Sequence, residues 1–264
     1  MHLLPLKKVF EIALSGSPLK NANGLNWDIL VNYSTYKETL KEIYGAEPVI
    51  SINGHSYKNG DRMDAIYVPG FVRDGSGNIV YSGGLPLRGS SDIGNNTFVG
   101  YANPDYTFGI NNRFTYRNFS FSFQFDGRIG GKIYDEVYHD GMNGGTSIES
   151  ASGDLGVARL AEWQTTNMGT VAPTGKYIAP GVKIISGTPQ YSNGKITNLA
   201  DLKFGANDVP TTVQNYISSG IGNVNEYWMV DRSFAKLREV SIATLSLLKY
   251  SEIQNLLKQL LYHW

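Results

Sequence analysis

Asp74-Gly75-Ser76-Gly77-Asn78 gathers carboxylate, hydroxyl and amide oxygens within five residues, the donor types that hold calcium. An EF-hand loop also needs alternating acidic ligands and a distal glutamate. This stretch has neither, and it reads as a plain turn. The four histidines, His2, His55, His139 and His263, show no metal-like spacing and read as solvated loop residues. Carboxylate pairs such as Asp135-Glu136 lie among turn residues, and nothing singles out a glycosidase pair. There is no phosphate loop, dinucleotide fingerprint or nucleophile elbow. Cysteine is absent, which excludes a thiol nucleophile, thiolate metal sites and disulfides. No catalytic, cofactor-binding or metal-binding residue is expected, and the chain is not read as an enzyme. Four loop aromatics, Tyr138, Trp163, Tyr191 and Trp228, have side chains that can stack on sugar rings or peptide side chains. The commoner role for each is a small core inside its loop.

The composition sets the class of partner. Lys plus Arg and Asp plus Glu number 23 each, so nothing attracts nucleic acid electrostatically. Only 17% of the 264 residues are charged, and 30 Gly and 17 Tyr favour turns and strands over helices. No stretch approaches the roughly 18 apolar residues of a membrane-spanning helix, and a β-barrel would show none. The opening MHLLPLKKVF is too short and too quickly interrupted for a secretion signal.

The elements that must position any site are strands. Phe119, Phe121, Phe123 and Phe125 alternate with Ser120, Ser122, Gln124 and Asp126. Extended, that segment has one aromatic face and one polar face. A water-soluble sheet would bury the aromatic face; a barrel strand would turn it to lipid and the polar face to a wet lumen. Trp27, Ile29, Val31 and Tyr33 alternate with Asn26, Asp28, Asn32 and Ser34; Phe108, Ile110, Phe114 and Tyr116 oppose Thr107, Asn111, Arg113 and Thr115. Phe10, Ile12 and Leu14 oppose Glu11, Ala13 and Ser15. In the weaker fifth segment, Val240 and Ile242 share a face with Lys236 and Arg238, as in a strand that leaves the apolar layer part way along.

The connections run short, long, short, long. SPLKNANGLN joins the first two segments, and Arg117-Asn118 joins the third and fourth as a two-residue turn. About 70 residues separate the second and third segments and about 100 the fourth and fifth. Outer-membrane barrels have this asymmetry, with short periplasmic turns and long external loops. Within the loops, Ala65 to Tyr81 reads as a hairpin around Asp74 to Asn78, and Ala158 to Gln164 as a short helix. Beyond Ala243, leucines recur at helical spacing, so residues 245–262 should be helical or disordered.

Residues 100 to 136 carry a resemblance. Asn103-Pro104-Asp105-Tyr106 opening a strand, a tight turn, an aromatic/serine strand and the Asp126 to Lys132 element resemble TonB-dependent outer-membrane transporters of the SusC/RagA family. LSGSPLKNANGLNWDILVNYS and DRSFAKLREVSI resemble two further elements of that family, in the right order. The resemblance implies an all-β fold: an antiparallel meander of long strands from a transmembrane barrel wall. Residues 8–243 would form a partial barrel with strands near 8–16, 26–35, 106–116, 119–129 and 233–243. External loops would span 36–105 and 130–232, with an atypical tail at 244–264. It implies a lipid-facing set of Trp27, Ile29, Val31, Phe108, Ile110, Phe119, Phe121, Phe123 and Phe125. Asn111, Arg113, Ser120, Gln124 and Asp126 would face the lumen, with Arg113 and Asp126 close enough to pair. The implied partners are a SusD-like surface lipoprotein, the TonB complex, a glycan or peptide ligand and outer-membrane lipid. The residues that touch ligand or lid are not marked by any motif. Plug and terminal strands are expected to be missing from this chain, as after truncation or a frameshift, which would leave it unable to transport alone. The competing expectation is a secreted soluble β-sandwich that binds carbohydrate.

Overall fold

The computed structural model describes residues 3–43, 49–52, 55–89, 97–192, 195–245 and 254. Apart from Thr244, Leu245 and Gln254, the tail lies outside the described residues. The chain divides into two compact units. A wall unit comprises 9–36, 105–129 and 233–264; a loop unit comprises 1–8, 37–104 and 130–232.

The wall is a five-stranded sheet of β1 (Leu3–Leu19), β2 (Leu25–Ile43), β3 (Tyr106–Tyr116), β4 (Phe119–Ile129) and β5 (Phe234–Thr244), ordered β1-β2-β3-β4-β5. Neighbours in sequence are neighbours in space. The fold is all-β, and β2 to β5 pair antiparallel. β1 and β2 run well beyond the stretches of alternation at 8–16 and 26–35. Arg117, at φ 52°, opens the turn between β3 and β4. That turn places Phe121 opposite Phe114 and Phe125 opposite Ile110, while β2 sets Trp27 opposite Phe114 and Val31 opposite Ile110.

Two details of the sequence reading are corrected here. The β3–β4 register puts Arg113 opposite Ser122 and Asp126 opposite Gly109. Arg113 and Asp126 therefore sit four residues apart along the strand direction, roughly 14 Å, too far to pair. Asp126 instead accepts from Arg238 Nε across the β4–β5 ladder, at 2.6 Å. The second correction concerns β5. Its register shifts between Gln124 and Phe125, whose partners are Glu239 and Leu237, so Arg238 is an extra, bulged residue. One inserted residue reverses the alternation. Leu237, Val240 and Ile242 consequently share the face of Phe125, Phe123 and Phe121, while Lys236 lies opposite Asp126 on the other face. β5 does not leave the apolar layer; it changes phase within it.

The loop unit has its own cores. One gathers Trp228, Met142, Ile217, Ile221, Tyr81, Tyr177 and Tyr216. Trp228 is wholly buried and donates its indole N–H to the Ile221 carbonyl at 2.8 Å. Against this core lie α1 (Glu136–Asn143), capped by the Asp135 carboxylate on the Tyr138 N–H, and α2 (Gly153–Thr165). The helix expected at Ala158 to Gln164 thus begins five residues earlier, at a turn where Gly153 takes φ 56°. A second core of Val72, Val80, Ile196 and Leu202 underlies a small sheet, in which Val80–Ser82 pairs in parallel with Val182–Ser186.

Candidate functional site

The two faces of the wall are chemically opposite. All nine residues of the aromatic set, Trp27, Ile29, Val31, Phe108, Ile110, Phe119, Phe121, Phe123 and Phe125, fall on one face by register. Trp27 stacks on Phe114 at 5.7 Å, and Phe114 continues to Phe121 at 6.3 Å and Phe123 at 6.2 Å. Phe123 meets Phe125 edge-on at 5.8 Å, in the preferred aromatic geometry. This face is open: Phe119 is 61% exposed, and Phe121 and Phe125 about 40%. Gly127 interrupts it for a steric reason. A Cβ there would meet the Phe234 carbonyl at 2.4 Å and the Phe108 ring at 2.7 Å.

One polar residue on this face escapes the alternation pattern. Asn112 lies opposite both Ile29 and Phe123, and it is buried. Its Oδ1 accepts the Trp27 indole N–H at 3.0 Å. An apolar setting penalises unpaired polar atoms, and this bond satisfies one on each partner. The sequence signal was available: Asn112 breaks the run Phe108, Ile110, Phe114, Tyr116 at its midpoint.

Asn111, Arg113, Ser120, Gln124 and Asp126 fall together on the other face. Asn111 donates to Gln124 Oε1 at 3.4 Å, and Ser17 donates to Asp28 at 2.6 Å. Arg113 sits opposite Asp28 on one side and Ser122 on the other. A cleft of about 460 Å³ lies at Gly109, lined in part by Glu11, Asn32, Ser34 and Thr107.

In the loop unit, Arg62 clamps the approach to the Asn103-Pro104-Asp105-Tyr106 element. Its guanidinium grips Asp64 in a fork (2.9 and 2.8 Å), reaches the Asn103 carbonyl, and lies 4.0 Å from the Tyr101 ring centre. Burial alone would raise the Asp64 pKa. The Arg62 fork and the Asn103 N–H outweigh it and hold the carboxyl below its ordinary value. Burial, with the bond to Asp61, pushes the Tyr67 hydroxyl up.

The chemistry-bearing candidates resolve individually. Asp74 accepts the N–H groups of Ser76 and Asn78 and the Asn78 amide, so its oxygens close a turn. His139 Nδ1 lies 3.0 Å from Asp140, and with Glu136 these atoms fall within 4.8 Å of one another on α1. Trp228 and Tyr138 pack together in the loop core. Trp163 differs: it is exposed at the mouth of a cavity of about 600 Å³ against α2.

The chain is an all-β protein whose main sheet has one aromatic and one polar face. On sequence, the chain is similar to TonB-dependent receptor P3 of Formosa agariphila (strain DSM 15362 / KCTC 12365 / LMG 23005 / KMM 3901 / M-2Alg 35-1), 24% identical over a 232-residue alignment. The alignment covers 76% of this chain and 21% of that receptor. No protein-family model matches. Solved structures with similarity include the RagAB peptide transporter (TM-score 0.47, 12% identity) and the RagAB peptide importer in its open-open state (TM-score 0.49, 12% identity). Each match covers 89% of this chain and 22% of the solved chain. The chain thus spans about a fifth of the length of these proteins.

Proposed function

We propose that this chain is a sector of the wall, with its external loops, of an outer-membrane TonB-dependent importer of SusC/RagA type that takes up glycans or peptides. The observation that carries this is the open aromatic face, backed by a polar face along the same strands. An outward apolar band with a polar lumen is the pattern of a barrel strand. In this reading the nine aromatic and aliphatic residues meet lipid, and Asn111, Arg113, Ser120, Gln124 and Asp126 meet the lumen or a plug. The loop unit lies outside the cell, where a SusD-like lipoprotein would close over the ligand, with the TonB complex supplying energy from within. A plugged barrel takes about 22 strands. Five supply a sector, so transport belongs to the whole barrel and not to these strands alone. No residue is assigned a catalytic role.

A soluble carbohydrate-binding sandwich would need a second sheet over the phenylalanines. The exposure of Phe119, Phe121 and Phe125 speaks against it. The test is expression with an outer-membrane signal, followed by fractionation and detergent extraction. Recovery from the membrane only with detergent supports the proposal. A monodisperse chain in the detergent-free soluble fraction overturns it.

A further inference from the structure

Three metal-ligating side chains share one face of α1. Glu136, His139 and Asp140 stand at i, i+3 and i+4, so a single helical turn brings them together. One oxygen from each carboxylate and a ring nitrogen of His139 lie within 4.8 Å of one another. His139 Nδ1 is 3.0 Å from Asp140 Oδ1. Nitrogen and oxygen ligands of a tetrahedral zinc, each at roughly 2.0–2.1 Å from the ion, sit about 3.3 Å from each other. His139 and Asp140 are therefore already near chelate spacing. The exposed Glu136 side chain can close the third position by rotating its own bonds.

The imidazole is held from outside this cluster. Its ring meets Trp228 edge-on at 4.9 Å and Tyr134 at 5.8 Å. Nε2 lies beside Gly222, where a Cβ would come within 3.8 Å of it. Trp228 is wholly buried, so these contacts seat the ring on the loop core and leave Nδ1 toward the carboxylates. A ligand already ordered by packing loses less freedom on binding. The neighbouring acid, Asp135, is engaged elsewhere, accepting the Tyr138 N–H at 2.9 Å. Among the described residues, no Lys or Arg pairs with Glu136 or Asp140. Like charges one turn apart weaken a helix, and α1 has no basic residue in its last turn to offset them.

We propose that Glu136, His139 and Asp140 bind one zinc ion on the surface of the loop unit, with water in the fourth tetrahedral position. An imidazole nitrogen beside two carboxylates suits zinc, whereas calcium takes roughly six to eight oxygens and magnesium keeps a shell of water. The site needs only α1 and its packing on Trp228, and it stands independently of the importer reading.

The test is calorimetric titration of the full chain, without an affinity tag and in detergent, with zinc chloride and separately with calcium chloride. Zinc should bind one to one, and calcium at least about tenfold more weakly. Outer-shell partners of metal ligands alone are worth about 10–100-fold in affinity, so losing a ligand in Glu136→Gln or Asp140→Asn should weaken zinc at least about tenfold. Both side chains are exposed, so both variants should retain the circular dichroism of the parent. Absence of zinc binding overturns the proposal. Unchanged zinc affinity in either variant also overturns it, because the ion then sits elsewhere. Calcium binding as tight as zinc overturns it too, since the carboxylates would then act without the imidazole.

Discussion

A single arginine moved along the aromatic face measures what that face touches. Phe119, Phe121, Phe123 and Phe125 stand at every second position of β4, so successive members are roughly 7 Å apart along the strand. With the usual barrel tilt near 40°, each step changes depth by about 5 Å. If Phe119 marks the rim beside the turn, an apolar band about 25 Å tall places its midplane near Phe123. Phe123→Arg should then cost about 2–4 kcal/mol of lipid-embedded stability, and Phe119→Arg about 0–1 kcal/mol, with Phe121→Arg between them. Ser122→Arg, one residue away but on the polar face, should change little. The assay is partition of each variant between buffer and phosphatidylcholine vesicles, read by flotation. Since about 1.4 kcal/mol is a tenfold change, the floating-to-soluble ratio for Phe123→Arg should fall by some 30-fold or more. A flat profile along the four positions would refute the reasoning, because a water-exposed face has no depth. Equal, severe losses at all four would also refute it, since that is the signature of a closed two-sheet core.

Other expectations follow from the same geometry. Asp126→Asn should leave no chemical step to lose and should weaken the wall by at most about 1 kcal/mol, as for an exposed ion pair, measured by urea titration. Trp228→Ala should cost the loop unit about 3–5 kcal/mol through lost packing and should expose it to protease. Asp64 has a depressed pKa in the folded state, so its stabilisation is present above the unfolded value near 3.8 and is lost as pH falls through the lower folded value. Asp64→Asn should remove that acid-side limb of the loop unit's unfolding profile. The Tyr216 hydroxyl is pushed up by burial and by its neighbours Tyr81 and Tyr177. Its contribution should be intact below about pH 10 and fall as alkali ionises the unfolded chain first, an effect that Tyr216→Phe would diminish.

What the sequence exposed and what it hid divide along one physical line. Side-chain direction in a strand depends only on local parity, so the two faces of β2, β3 and β4 can be read from residue order. The turn at Arg117-Asn118 then fixes register across β3 and β4 without distant information. Parity fails where one residue is added. Nothing in Phe-Ala-Lys-Leu-Arg-Glu-Val says that Arg238 will bulge, because the bulge is defined only against Phe125 on the neighbouring strand. The loop unit is the extreme case. Val80–Ser82 finds Val182–Ser186 across about a hundred residues, and Trp228 finds Met142 and Tyr81 at similar remove. Such partners are chosen by volume and burial, which no local pattern records.

The same distinction governs how far each part of the site can be read. Trp27 and Asn112 lie 85 residues apart, and each looks anomalous alone: an aromatic near a turn, an amide in an apolar row. Together they form one hydrogen-bonded unit that lets an amide sit on an otherwise apolar face. Arg159 and Trp163 lie one helical turn apart and are legible as neighbours, but the wall they face is built from residues as distant as Ile217. Alternation along a strand therefore marks which way this chain presents its surfaces. What those surfaces recognise is set by the contacts that bring remote segments together, as Asp126 shows by pairing with Arg238 across the ladder and not with Arg113.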